Sequence, residues 1–369
     1  MHLQADITQL IALLGNPADA RNLNEAQWSE LVATARSANL LGALAVRLNR
    51  IGVSGGLHAD RHLDGARQLS ARQHQSVRWE VHCLQAALGD LRIPVLLLKG
   101  AAYVLSDDSV GQGRLFGDID ILVPRESLGE VESQLMLSGW VSAKSSAYDQ
   151  RYYREWMHEL PPMTHLRRGT VLDVHHTILP LTARNAPDPN LIINRSLPVS
   201  APGLTALRVP CPEDLVIHSI THLVHEGELH NGLRDLNDID EMIRSFGRTP
   251  GFWHRLSAFA AGNDLAEPVC FGLHLAQLFF GTPIPDAVLK ELSPNGRVTA
   301  PSRGLTSLYA RALHPANMTR WDVATGMAQW LVYVRAHSLR MPLPLLLRHL
   351  AVKAWMGLRV DPEASGKTH

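Results

Sequence analysis

The sequence predicts an α+β protein: a small sheet-bearing unit over residues 91–205, between a helical N-terminal region, 1–90, and a helical C-terminal domain, 206–369. Three observations carry this prediction. Apolar residues recur at three- and four-residue steps before residue 90. Short continuous apolar runs of strand length are confined to the centre. From about Pro212 onward strand signals vanish, and the chain reads as helices broken by Pro and Gly.

Element by element, Leu31, Val32, Ala35, Leu40, Leu41 and Leu44 mark the first helical face. The Gly-rich stretch Ile51-Gly52-Val53-Ser54-Gly55-Gly56 ends it, and a second helix runs through Trp79, Val81, Leu84 and Leu88. Ile93-Pro94-Val95-Leu96-Leu97-Leu98 reads as a buried strand ending at Lys99-Gly100. Ile119-Asp120-Ile121-Leu122-Val123 is a second strand, stopped by Pro124. A helix follows, with Leu128, Val131 and Leu135 on its apolar face and Gly139 at its C-terminal cap. The span from Tyr152 to Thr177 predicts two more strands, joined by Arg167-Arg168-Gly169-Thr170, the second being Val171-Leu172-Asp173-Val174-His175.

Composition narrows the function. The 369 residues hold 35 basic and 35 acidic side chains, a zero balance that lacks the long-range field of a duplex-DNA binder. Cys83, Cys211 and Cys270 are odd in number and far apart, which excludes a disulfide framework or zinc ribbon and predicts a reducing, cytoplasmic setting. The N-terminus lacks signal-peptide character, and no uncharged run approaches the ~20 residues that span a bilayer.

Chemistry concentrates at Lys99-Gly100, Arg114 and Asp118-Ile119-Asp120. Alternate residues of a strand share a face, so Asp118 and Asp120 project together while Ile119 and Ile121 enter the core. Two carboxylates that close repel unless a cation lies between them, and hard divalent cations take carboxylate oxygens together with substrate phosphates. Asp173, inside an apolar strand, supplies a third carboxylate, the set that two-metal phosphoryl transfer requires. A solvated strand end is the alternative reading of Asp118 and Asp120. Lys99 is positioned to neutralise a phosphate oxygen, Gly100 to let backbone approach it, and Arg114 to clamp a triphosphate.

These motifs, with Gly139-Trp140, His158 and Leu172-Asp173-Val174-His175, resemble the uncharacterised nucleotidyltransferase family of the DNA polymerase β-like superfamily. His218, His222, Leu233-Arg234 and Asp238 extend the resemblance over roughly 90–240. It implies a small mixed-sheet palm and transfer of a nucleoside monophosphate from a nucleoside triphosphate, ATP by default, with Mg²⁺ or Mn²⁺ as cofactor and pyrophosphate as product. It also implies that Arg234 and Asp238 face the palm and close the nucleotide site. Asp118, Asp120 and Asp173 are then the metal-binding and catalytic residues, and Lys99, Gly100, Arg114, His158 and Arg234 the nucleotide-binding ones. The chain departs from the superfamily in having Lys-Gly-Ala where Gly-Ser or Gly-Gly is usual. The acceptor, whether protein, peptide or metabolite, is not specified. A competing reading is a catalytically silent nucleotide-binding accessory or antitoxin-like partner protein.

Other signals have simpler explanations. His218, His222 and His225 share one helical face without H-E-x-x-H or a nearby cysteine, and their expected role is packing against the sheet unit rather than zinc binding. His175 shares the strand face of Asp173, and His176 points away. His158 is equally readable as a site residue or a surface histidine. Arg234 and Asp238, four apart on a helix, also fit a local ion pair. The segment 323–360 holds five basic residues and no acid, with Trp330 and Trp355 interleaved. It fits a helix pair with a solvated basic face, or a surface for an anionic acceptor or a membrane.

Overall fold

A computed structural model describes residues 5–106, 110–142, 147–185, 187–293, 303–315, 322–342 and 344. Four helices come first: α1 (Ala5–Gly15), α2 (Glu25–Ser37), α3 (Leu41–Arg50) and α4 (Gly56–Leu88). Asn24 and Gln27 cap α2 reciprocally, each side chain accepting from the other's backbone N–H at 3.0 Å. The predicted Gly-rich break lies between α3 and α4.

The centre alternates strands and helices: β1 (Val95–Leu98), α5 (Lys99–Leu105), β2 (Ile119–Leu122), α6 (Leu128–Leu137), β3 (Trp140–Ser142), α7 (Ala147–Trp156), β4 (Met163–His165), β5 (Val171–His175), α8 (Pro189–Arg195), β6 (Leu197–Pro198) and β7 (Leu207–Val209). Helices complete the described chain: α9 (Pro212–His225), α10 (Gly232–Phe246), α11 (Phe252–Gly262), α12 (Ala266–Phe280), α13 (Asp286–Leu292), α14 (Arg303–Ala312) and α15 (Val323–Arg340). The α+β class is therefore as the sequence predicts.

The seven strands form one mixed sheet in the order β3-β4-β5-β2-β1-β7-β6. β2 lies antiparallel to β1 and parallel to β5. All of β1 and β2 is buried, which is why β1 reads as an unbroken apolar run and β2 as one interrupted only by Asp120. Three strands escaped the sequence reading. β3, β6 and β7 have two or three residues each, and pairing with neighbours rather than local pattern makes them strands. The region from Tyr152 also differs, because its first part is helix α7 and the two strands begin only at Met163. Its aromatic residues favour strands, but an Arg151–Glu155 pair at 2.9 Å and Arg154–Gln150 bonds four residues apart support the helix.

One apolar cluster runs from Ile7 to Val332 and joins the sheet to the surrounding helices. α9 opens with Pro212 at its first position and Glu213 and Asp214 in its first turn, a favourable arrangement for the helix dipole. It packs against α10, α12 and α11. Among the described residues no helix is long and apolar enough to cross a membrane. Within the 323–360 segment, two basic residues turn inward: Arg335 donates to Tyr309 Oη at 2.9 Å, and Arg340 pairs with Glu226 at 3.3 Å. The outer face of α15 instead shows Met327, Trp330 and Val334. Residues 345–360 lie outside the described residues.

Candidate functional site

Strand register assembles the site. β1 pairs Leu98 with Asp120, and β5 pairs Asp173 with Asp120, so the end of β1 and two carboxylates stand level across three adjacent strands. Lys99 follows Leu98 immediately. Its backbone has φ +42°, unusual for a residue with a side chain, and its ammonium donates to Asp120 Oδ1 at 2.8 Å. Gly100 permits the next step of the turn, because a Cβ there would lie 2.1 Å from the Phe116 ring.

Asp120 is buried and doubly served, since His175 Nε2 also donates to its Oδ1 at 3.0 Å. Burial alone would push this carboxyl up, but Lys99 and His175 outweigh it and hold it well below the usual carboxylate range. Burial likewise opposes charge on Lys99 and His175, and their acidic neighbours raise both above their ordinary values. Asp118, just before β2, is exposed at the site's edge. Partial desolvation and then repulsion from Asp120 raise it.

Asp173 has no such partner. Its Oδ1 is buried without a hydrogen bond, and burial, then repulsion from Asp120 and Glu159, pushes it up to about 7. Glu159 was not picked out from the sequence. It reaches the cluster because residues 158–160 run antiparallel to the end of β5, which brings Glu159 opposite His175. Its Oε2 lies 3.4 Å from His175 Nδ1. His158 is half-buried and stacks on His175, with ring centroids 5.1 Å apart. Burial holds it well below the ordinary histidine range, so the ring is neutral.

A cavity of about 340 Å³ opens beside this cluster. Lys99, Gly100, Arg114, Asp118, Asp120 and Arg234 all line it, whereas Asp173 and His158 lie outside its lining. The opposite wall comes from α9 and α10, chiefly Ser219, His222, Glu226, Asp235 and Asp238. Arg114 is not a surface residue. It pairs with Asp238 and, at 3.3 Å, with Asp235, and lies over the Tyr103 ring at 5.4 Å. Arg234 pairs with its sequence neighbour Asp235 at 2.8 Å rather than with Asp238. Despite burial, Arg114 and then Arg234 draw Asp235 down to about 2.

The three histidines of α9 divide. His222 lines the cavity, 3.3 Å from Glu226, and burial followed by the Lys99 charge lowers it to about 4. His218 and His225 are buried, and Thr221 O lies 2.9 Å from His225 Nδ1. His176 follows β5 and is buried; burial and then Arg125 lower it to about 4.

The aspartates suit a divalent cation on their own chemistry. Asp118, Asp120 and Asp173 offer hard oxygen donors, and the orphaned Asp173 Oδ1 lacks the partner a buried carboxylate needs. Asp118, Asp120 and Asp173 would hold such an ion once their oxygens draw together, for among the described residues the group with ligand atoms within 4.8 Å of one another is His158, Glu159 and His175.

A family model described as an uncharacterised nucleotidyltransferase matches residues 24–281, which include every residue of the cluster and of the cavity lining. No curated protein matches the chain.

Proposed function

The chain belongs to the uncharacterised nucleotidyltransferase family, and from that premise we propose that it transfers a nucleoside monophosphate from a nucleoside triphosphate, ATP by default, to a hydroxyl or amine acceptor in a Mg²⁺-dependent reaction. One observation carries the reading: three aspartates, two within paired strands and one just before them, one with an unsatisfied buried oxygen, stand beside a cavity with a lysine and two arginines in its wall. When bound, Mg²⁺ supplies neutralisation of the triphosphate and of the developing charge.

The chain's own groups do the rest. Lys99 and the bare backbone at Gly100 hold the phosphates, with Arg114 and Arg234 at the far wall. The acceptor oxygen or nitrogen bonds to the α-phosphorus while the bond between the α-phosphorus and its bridging oxygen breaks, and pyrophosphate leaves. Asp173 takes the acceptor's proton through the carboxylate oxygen that the ion leaves free; without an ion, burial and repulsion from Asp120 and Glu159 push this carboxyl up to about 7. His175 fixes Asp120 through the 3.0 Å bond, which keeps the cluster oriented for the reaction. Cys83, Cys211 and Cys270 are free thiols, which suits the cytoplasmic setting we propose.

The test uses ATP labelled separately at the α and γ phosphates, with Mg²⁺ and a panel of protein, peptide and metabolite acceptors. Transfer of the α label that disappears in Asp118→Asn is the expected result. Transfer of the γ label alone overturns the reading. ATP binding with no transfer to any acceptor favours the silent accessory protein.

A further inference from the structure

We propose that His158, Glu159 and His175 form a second cation site, a two-imidazole, one-carboxylate set suited to a borderline ion such as Zn²⁺, beside the aspartate cluster and distinct from it. Each residue offers one ligand atom, and the three atoms lie within 4.8 Å of one another. His175 Nδ1 and Glu159 Oε2 are 3.4 Å apart, and His158 Nε2 is 4.0 Å from the same oxygen. The first separation is long for a charge-assisted hydrogen bond, typically about 2.8 Å, but close to the edge of a tetrahedral zinc shell, about 3.3 Å. The second closes with a small rotation of one ring.

Two further features support the assignment. His175 already donates through Nε2 to Asp120, so its other nitrogen faces Glu159. A ligating histidine commonly has just this carboxylate behind it, which fixes the ring. His158 approaches Glu159 through Nε2, and its buried Nδ1 has no hydrogen-bond partner that would hold the ring against turning. The backbone holds the set in place: Leu160 N–H donates to Val174 O at 2.8 Å and His176 N–H to His158 O at 2.9 Å, clamping residues 158–160 to β5.

Ligand chemistry selects the ion. Two imidazoles suit zinc and similar ions, while Mg²⁺ prefers oxygen donors. Three protein ligands leave a fourth position open, the form of a site that also takes water or substrate. Charge gives the same answer. Asp118, Asp120, Asp173 and Glu159 meet only Lys99 and His175, so the carboxylates outnumber the cationic side chains paired with them and favour an added positive ion.

The experiment needs no nucleotide, so it stands or fails separately from the transfer reaction. The full chain is stripped with a chelator, dialysed against Zn²⁺ in the presence of excess Mg²⁺, and its metal content is measured. One retained zinc per chain is expected. Glu159→Gln and His158→Ala should each weaken retention about tenfold or more, whereas Asp118→Asn should keep it. Circular dichroism confirms that each variant is folded, and the near-isosteric Glu159→Gln carries the test should His158→Ala fail to fold. No zinc on the wild type overturns the proposal. So does retention that survives in folded Glu159→Gln, or that is lost in Asp118→Asn but not in Glu159→Gln.

Discussion

The two walls of the cavity treat charge differently. On the sheet wall Asp118, Asp120 and Asp173, with Glu159 behind them, face Lys99 and His175, and Asp173 is left with an unpaired buried oxygen. On the opposite wall Arg114 and Arg234 meet Asp235 and Asp238, while Glu226 is shared by His222 and Arg340. The second set is balanced in charge within the protein, although Arg114 Nε is also buried without a hydrogen bond, and the first is not. A balanced network needs no ligand to persist, and an unbalanced buried one does. Under the proposed reaction the chemistry belongs to the sheet wall, while the helical wall pairs its own charges.

Substitutions on the two walls should therefore fail in different ways. The largest effect is expected for Asp120→Asn, which should lower the transfer rate per folded molecule about 1,000-fold, about 4 kcal/mol of barrier, beside a loss of stability because Lys99 and His175 lose their shared partner. Single-turnover kinetics on the purified variant check this. Asp238→Asn should lose stability without a comparable loss of rate. It leaves Arg114 without its closest partner in a buried setting and should cost about 3 kcal/mol of stability in urea denaturation, while the rate per folded molecule changes less than tenfold. Equal loss of rate in both variants would erase the distinction between the walls.

Acid should act on the helical wall through its histidines. Burial first, and then the charges near each ring, hold His222 and His225 neutral down to about 4, against an ordinary value of 6.5. As the pH falls below 6.5 the unfolded chain takes up protons there that the folded chain refuses until about 4, so stability declines through that window. For His225 the loss at pH 5 is about 2 kcal/mol. Denaturation midpoints measured from pH 7 to pH 5 should fall less steeply in His225→Gln. The smallest effect concerns Arg234. If it leaves Asp235 to hold a triphosphate, Arg234→Ala should raise KM for ATP about tenfold with kcat unchanged. An unchanged KM would make it purely a wall residue.

How much of this could be read in the sequence follows from the range of the interactions. β1, β2 and β5 were legible because buried strands announce themselves as apolar runs, and an aspartate inside such a run is conspicuous. Gly139 was legible as a helix end, and it has the positive φ, +99°, that such a position demands. β3, β6 and β7 were not, because strands of two or three residues are defined by their neighbours. Asp173 could be picked out, but its missing partner could not. Glu159 was hidden because its contact with His175 depends on a bridge outside any regular strand. The pairing of Arg114 with Asp238 joins residues far apart in sequence, so no local pattern could favour it over a pair within α10.

The central claim is that the unbalanced carboxylates of the sheet wall recruit a divalent cation and with it the triphosphate. Calorimetric titration of ATP into the full chain, with and without Mg²⁺, tests this most directly. Binding should appear only with Mg²⁺, vanish in Asp120→Asn and persist in Asp238→Asn. Equal ATP binding without Mg²⁺, or binding that survives Asp120→Asn and is lost in Asp238→Asn, would contradict it.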